Sequence, residues 1–202
     1  MNKLKKTILF LLVVGSINNT YSQNFSKRKV NDLKSHAAKL VEEDKKMTQV
    51  MIDKVFSFGE LGFQEFETSK YLSNILEENG FELQYNISDI PTSWLAKWSN
   101  GSGGPVIALG SDFDGVPSTS QYPGVAYEKP VVEGAPGHGE GHNIGLPIVI
   151  TAALSIKKVM IENNINGTLL LWPGVAEEIL GSKAWYVRDG YFDNVDMCIF
   201  TH

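Results

Sequence analysis

The 202-residue sequence is poor in the residue types that mark several protein classes. It holds one cysteine, Cys198, which excludes an intramolecular disulfide framework. Because Cys198 lies in the apolar run Met197-Cys198-Ile199-Phe200, it reads as a buried core thiol rather than a nucleophile. Positive charge is scarce as well. Lys and Arg number 18 against 23 Asp and Glu, for a net charge of −5, and no Lys/Arg stripe is present, which argues against a nucleic-acid partner. Internal repeats and low-complexity segments are absent. What is there is an ordinary globular balance, 43% hydrophobic and 20% charged, long enough for one well-buried domain or one and a fraction.

The first residues do not belong to that domain. Lys3, Lys5 and Lys6 form a positive start, Thr7 to Gly15 is a short apolar stretch, and Ser16 to Gln23 turns polar. Thr20 and Ser22 are small residues placed for cleavage before Gln23. Residues 1–22 therefore read as a secretory signal peptide, too short for a comfortable membrane span, with an uncleaved anchor as the competing reading. No cysteine follows the apolar stretch, so lipidation there is excluded. The expected location is secreted or periplasmic, with no stable membrane insertion after cleavage.

Hydrophobic periodicity predicts helices over Lys27 to Phe58, Glu67 to Glu78, Pro147 to Asn163 and Gly181 to Arg188. Strands are expected at Phe81 to Asn86, Ser93 to Trp98, Pro105 to Gly110, Gly167 to Trp172 and Val195 to Thr201. The stretch from Ser118 to Gly137 is rich in Gly, Pro, Ser and Tyr without a period, and reads as a long functional loop. Strands alternating with helices point to an α/β fold, a three-layer sandwich with a mixed, mainly parallel sheet. Continuous apolar strands such as Pro105 to Gly110 suit burial on both faces. Ligands in such sheets gather at the carboxyl ends of the strands.

Chemistry concentrates in Gly137-His138-Gly139-Glu140-Gly141-His142-Asn143. Residues two apart in extended backbone point the same way, so Glu140 and His142, with His138 beside them, can face one cation. The intervening glycines disfavour helix and permit close backbone approach. Imidazole nitrogens and carboxylate oxygens are the donors that zinc and its neighbours take. Glu177-Glu178 follows an apolar strand. Adjacent carboxylates repel, and a cation on one would leave the other free to accept a proton. His202 ends another apolar strand, at the end where a sheet would deliver it to the same place.

Several motifs, in order, resemble the M20 metallopeptidase/amidohydrolase family, in its branch of aminoacylase, indole-acetyl-amino-acid and aminobenzoyl-glutamate hydrolases. Glu60-Leu61-Gly62-Phe63-Gln64-Glu65-Phe66-Glu67-Thr68-Ser69 is similar to the family's Pro-Glu-Leu-Gly-Phe-x-Glu-x-x-Thr, with Gly59 where proline is usual. Asp112-Phe113-Asp114-Gly115-Val116-Pro117 resembles Asp-Met-Asp-Ala-Leu-Pro, and His138 to Asn143 resembles His-x-Cys-Gly-His-Asp/Asn. Gly174 to Glu178 resembles Thr-Pro-Ala-Glu-Glu, and Gly190 to Asp196 resembles Gly-x-Phe-Asp-x-Val-Asp. The resemblance runs from about Asp44 to His202.

It implies a zinc-exopeptidase-like fold and hydrolysis of the amide in an N-acyl amino acid, aminobenzoyl-glutamate or dipeptide-like small molecule. Glu177 would be the general base, and Glu178, His142 and His202 metal ligands. Glu140 stands where most of this branch has a bridging cysteine. Its carboxylate can bridge two cations, and moves the preference from soft toward harder metals, manganese or cobalt as well as zinc. Two divalent ions per complete site are implied. His138 would orient a ligand from behind, and Asp112 and Asp114 would lie beneath the site. Family members are roughly twice this length, insert a lid or dimerisation domain and are homodimeric, so residues 23–202 are expected to be the N-terminal portion of an incomplete catalytic domain. A non-catalytic binding protein that keeps the fold, or an exopeptidase acting on dipeptides, are the competing expectations.

Overall fold

A computed structural model describes residues 24–202, so the signal peptide expected at residues 1–22 lies outside the described residues. The chain runs α1 (Lys27–Glu43), α2 (Lys45–Phe58), α3 (Phe66–Glu78), β1 (Glu82–Tyr85), β2 (Trp94–Asn100), β3 (Val106–Asp112), α4 (His142–Glu162), β4 (Gly167–Gly174), α5 (Lys183–Arg188) and β5 (Met197–Thr201). The strands form one sheet in the order β1-β2-β4-β3-β5. Pairing is antiparallel between β1 and β2 and between β2 and β4, and parallel on both sides of β3. The mixed α/β architecture expected from the alternation is thus present.

Leu169, Leu170, Leu171 and Trp172 of the central strand β4 are all at most 5% exposed. Successive residues of a strand point to opposite faces, and this fixes the layers. A Cβ on Gly145 of α4 would fall 1.8 Å from Ser111 Oγ, so Ser111 faces α4. Its neighbour Gly110 faces the other way, where Trp172 is packed so closely that a Cβ would lie 2.6 Å from its ring. On that second face Trp172 meets Tyr186 of α5, Phe192 and Phe200 at centroid distances of 6.0, 5.0 and 5.0 Å. Helices α1 and α2 pack on α4, and α3 covers β1 and β2. Helix α4 has the length and apolarity of a membrane-crossing segment, yet half of that window is buried inside this fold.

Three local expectations change. The helix read as Lys27 to Phe58 divides at Asp44 (φ −89°, ψ 5°), and both halves still reach α4. The apolar stripe lapses over the charged run Glu42 to Lys46 and resumes at Met47, a gap short enough to read as the solvent face of one helix. Helix α4 begins at His142, five residues before Pro147, because Gly141 at φ 87° turns the chain into it. Pro147 sits inside the helix and gives up one ladder bond rather than opening it. Cys198 is exposed, not a core thiol. β5 is the outer strand, and Met197 and Ile199 remain 54% and 48% exposed on its other face. Apolarity of a run does not by itself place it in the core.

The loop expected at Ser118 to Gly137 contains no helix or ladder strand, but it is tied down. Val116 and Gly137 exchange two backbone hydrogen bonds at 2.8 and 3.1 Å, and Thr119 Oγ1 lies 2.8 and 2.9 Å from the Val116 and Gly137 carbonyls. Its far end is thereby held where His138 to His142 must emerge.

The α4–β3 contact has no room for a side chain at Gly145. Gly145→Ala is expected to destabilise the fold by about 1–3 kcal/mol, the usual range for overpacking a filled core. A lower urea midpoint with an unchanged slope is the measurement that checks it.

Candidate metal centre

Because β3, β4 and β5 run parallel, their carboxyl ends lie at one edge of the sheet. β3 delivers Asp112 to Asp114 there, β4 leads to Glu177 and Glu178, and β5 leads to His202. The first turn of α4 brings His142 to the same edge, with Glu140 just before it. Elements far apart in sequence thus converge by topology.

His142, only 4% exposed, is held from below by Asp114. Its Nδ1 is 3.1 Å from the Asp114 carbonyl and 3.4 Å from Asp114 Oδ1. With the proton on Nδ1 donated downward, Nε2 faces the open side, where a cation would take the place of its second proton. Nε2 lies 3.4 Å from His202 Nε2 and 3.7 Å from Glu140 Oε2, and His202 and Glu140 are 3.5 Å apart. Glu178 Oε1 stands 3.7 Å from His142 Nδ1, while the Glu178 N–H donates to Asp114 Oδ2 at 3.1 Å. Asp114, completely buried, therefore orients both His142 and Glu178.

Two overlapping donor sets result. Asp112, His142, Glu177 and His202 each offer an atom within 4.8 Å of the others, and so do Glu140, His142, Glu177 and Glu178. His142 and Glu177 belong to both. The candidate ligands Glu140 and Glu178 fall in one set and His202 in the other, with Glu177 close enough to reach either. Asp112 lies within donor distance too, although both its oxygens are 2.9 Å from Lys183 Nζ. His138 joins neither set. Its Nε2 meets the Val55 carbonyl at 3.1 Å, which anchors the glycine-rich turn to the end of α2.

The electrostatics favour a cation. Burial and then the charge of Glu140 raise the Glu178 pKa, and Glu178 Oε1 is buried with no hydrogen-bond partner among the described residues. Burial pushes Asp112 up to about 6 despite Lys183. Burial alone would lower His142, but its hydrogen bond to Asp114 and the charges of Asp112 and Asp114 outweigh that and hold it at about 9. An orphaned carboxylate oxygen beside crowded acids and two imidazoles is a donor set that fits a divalent cation.

Two contributors carry no obvious sequence signal. Glu65 is fully buried and accepts from Thr92 Oγ1 at 2.8 Å and from the Ala176 N–H at 2.9 Å. It braces a turn in which Ala176, Leu180 and Ser182 all take positive φ (56°, 60° and 58°), the strained backbone that presents Glu177 and Glu178. Its place in the Glu60 to Ser69 motif is the available hint. Lys183 is the other, and a lone lysine at a helix start draws no notice.

Fold and donor sets together define a mixed α/β domain with a candidate metal centre at its strand ends. No family model matches the chain. It is 33% identical over 162 residues to a component of the p-aminobenzoyl-glutamate hydrolase of Escherichia coli, covering 80% of this chain and 33% of that protein. It is 32% identical over 139 residues to hippurate hydrolase of Campylobacter jejuni, covering 68% of this chain and 33% of that one. The fold matches a dinuclear metal-binding peptidase of the M20 family from Bacillus subtilis (TM-score 0.62, 24% identity, 84% of this chain and 43% of that chain). It also matches an aminobenzoyl-glutamate utilization protein from Klebsiella pneumoniae (TM-score 0.55, 17% identity, 85% and 46%). Over the part of its relatives that it spans, the chain is similar in sequence to these curated hydrolases and shares the fold of the M20-family peptidase. It spans about a third of the length of these curated relatives.

Loss of the Glu65 brace is expected to be felt at once. Glu65→Ala leaves the Ala176 N–H and Thr92 hydroxyl without their acceptor and costs about 1–3 kcal/mol of stability. Chemical denaturation of the two proteins side by side checks it.

Proposed function

We propose that this chain contributes the cation-binding part of a metal-dependent amidohydrolase. The substrates would be N-acyl amino acids, aminobenzoyl-glutamate or dipeptide-like amides. The observation that carries the reading is the pair of overlapping donor sets around His142 and Glu177. The similarity to relatives named as aminobenzoyl-glutamate and hippurate hydrolases supports the substrate class.

In this reading Glu140, His142, Glu178 and His202 hold two divalent cations, with zinc, manganese and cobalt all compatible with the mixed nitrogen and oxygen donors. When bound, the cations supply a Lewis acid that polarises the substrate carbonyl and makes water easier to deprotonate. Glu177 takes the proton from the attacking water and returns it to the leaving amine. Asp114 fixes the His142 ring and the Glu178 backbone so that neither has to reorganise as the reaction proceeds. His138 holds the turn that carries Glu140. Residues 1–22 act as an export signal, and residues 23–202 form the N-terminal portion of the catalytic domain, working outside the cytoplasm. Homodimerisation of the full-length protein belongs to the same proposal.

Two measurements test this. Saturating zinc at about a hundredfold over Kd should stabilise the fold by about 2.7 kcal/mol, reversed by a chelator. A thermal unfolding midpoint indifferent to every divalent ion would end the metal-centre reading. Hydrolysis of hippurate and aminobenzoyl-glutamate in zinc, manganese or cobalt should be lost by about 10²–10⁴-fold in Glu177→Ala, with cation binding kept and weakened by no more than about tenfold. Turnover that survives this change removes Glu177 from the mechanism, and tight cation binding without turnover in the unaltered protein returns the binding-protein reading.

A further inference from the structure

Five acids stand within reach of the His142 imidazole, yet one of them has a cation of its own. Asp112 is completely buried at the end of β3, and its carboxylate is within donor distance of His142, Glu177 and His202. On distance alone it is as good a ligand as Glu177. Lys183, the first residue of α5, places Nζ 2.9 Å from both Asp112 oxygens and 4.0 Å from Glu177 Oε1.

The ammonium has a second contact besides the two acids. It lies 4.4 Å from the centroid of the Phe200 ring, on the strand that leads to His202 two residues later. The β4 backbone also makes room for this pair. A Cβ on Gly174 would fall 1.9 Å from Asp112 Oδ1 and 2.8 Å from Lys183 Cε. Gly174 has no positive φ that would call for glycine on conformational grounds, so the space is what requires it.

We propose that Lys183 is a positioning residue that withholds Asp112 from the cations and leaves Glu177 as the acid facing them. This rests on the metal-centre reading above. Lys183 thereby sorts chemically equivalent carboxylates into one that is neutralised and one that works. It contacts neither cation nor substrate, and acts only through the two acids.

Cobalt(II) provides the test, because its visible absorption reports which donors surround it and its affinity is read by calorimetry. In K183M the freed Asp112 carboxylate joins the donors. Cobalt binds about tenfold more tightly, the reverse of the loss usual when a group behind a metal ligand is removed, and the absorption changes. Turnover falls mainly in kcat rather than KM. D112N has the opposite sign. The released lysine pairs with Glu177, and cobalt binds about tenfold more weakly. K183M/D112N returns affinity and spectrum close to the unaltered protein, and K183R preserves them.

If Lys183 and Asp112 are merely a structural pair, both single variants lose stability while cobalt affinity and absorption stay unchanged. That result overturns the proposal and leaves the metal centre standing. Should K183M fail to fold, D112N alone decides, since unchanged cobalt affinity there is equally fatal. Absence of cobalt binding to the unaltered protein overturns this proposal and the metal-centre reading together.

Discussion

Asp112, Asp114, Glu140, Glu177 and Glu178 converge at one end of the sheet, and their mutual repulsion is the constraint that the surrounding structure answers. Each acid is met differently. Asp114 accepts the Glu178 N–H and faces His142, and Asp112 is paired with Lys183. Glu140 has His142 and His202 within 4 Å. Glu178 retains a buried oxygen with no partner among the described residues, and Glu177 has only a distant lysine. The compensation supplied by protein groups is thus incomplete where the two donor sets overlap. An arrangement this costly in a folded domain is understandable if a cation completes it.

The parallel half of the sheet makes the convergence possible. β3 and β4 are linked through α4, and β5 adds to the far side of β3, so all three strands end at the same edge. The antiparallel strands β1 and β2 carry none of the candidate ligands and complete the core around Trp94 and Ala96. Close contacts set the fine geometry. Gly145 lets α4 approach Ser111, Gly174 admits the Asp112–Lys183 pair, and Gly62 lies beside Ala176 and Asp114. The signature-like segment around Glu60 and Glu65 has a comparable purpose. Glu60 caps α3 at the Glu67 and Thr68 N–H groups while its carbonyl accepts from Gly115, and Glu65 reaches the turn before Glu177.

Much of this is readable from residue order because strands and their ends follow from local pattern. Apolar runs ending in Asp112, before Glu177 and at His202 need only a parallel sheet to bring them together. The glycine-spaced run at His138 to His142 identifies itself by composition. Readings fail where tertiary context decides. Cys198 sits in an apolar run that forms an outer strand. The division at Asp44 falls in a charged run, Glu42 to Lys46, that a single helix could equally turn to solvent. Pro147 suggests a helix start, yet Gly141 takes that place. Lys183 and Glu65 owe their importance wholly to distant partners, which no local spacing records.

Pro147 within α4 has a consequence for ion choice. Lacking an N–H, it cannot close the helical ladder onto Asn143, so the turn that bears His142 is joined to the remainder of α4 by one fewer bond. That turn has some give, while the buried body of the helix is rigid against β3. With the His142 ring itself held by Asp114, that compliance falls to the half-exposed Glu140 before it, whose carboxylate would follow ions of different radius without disturbing the sheet beneath.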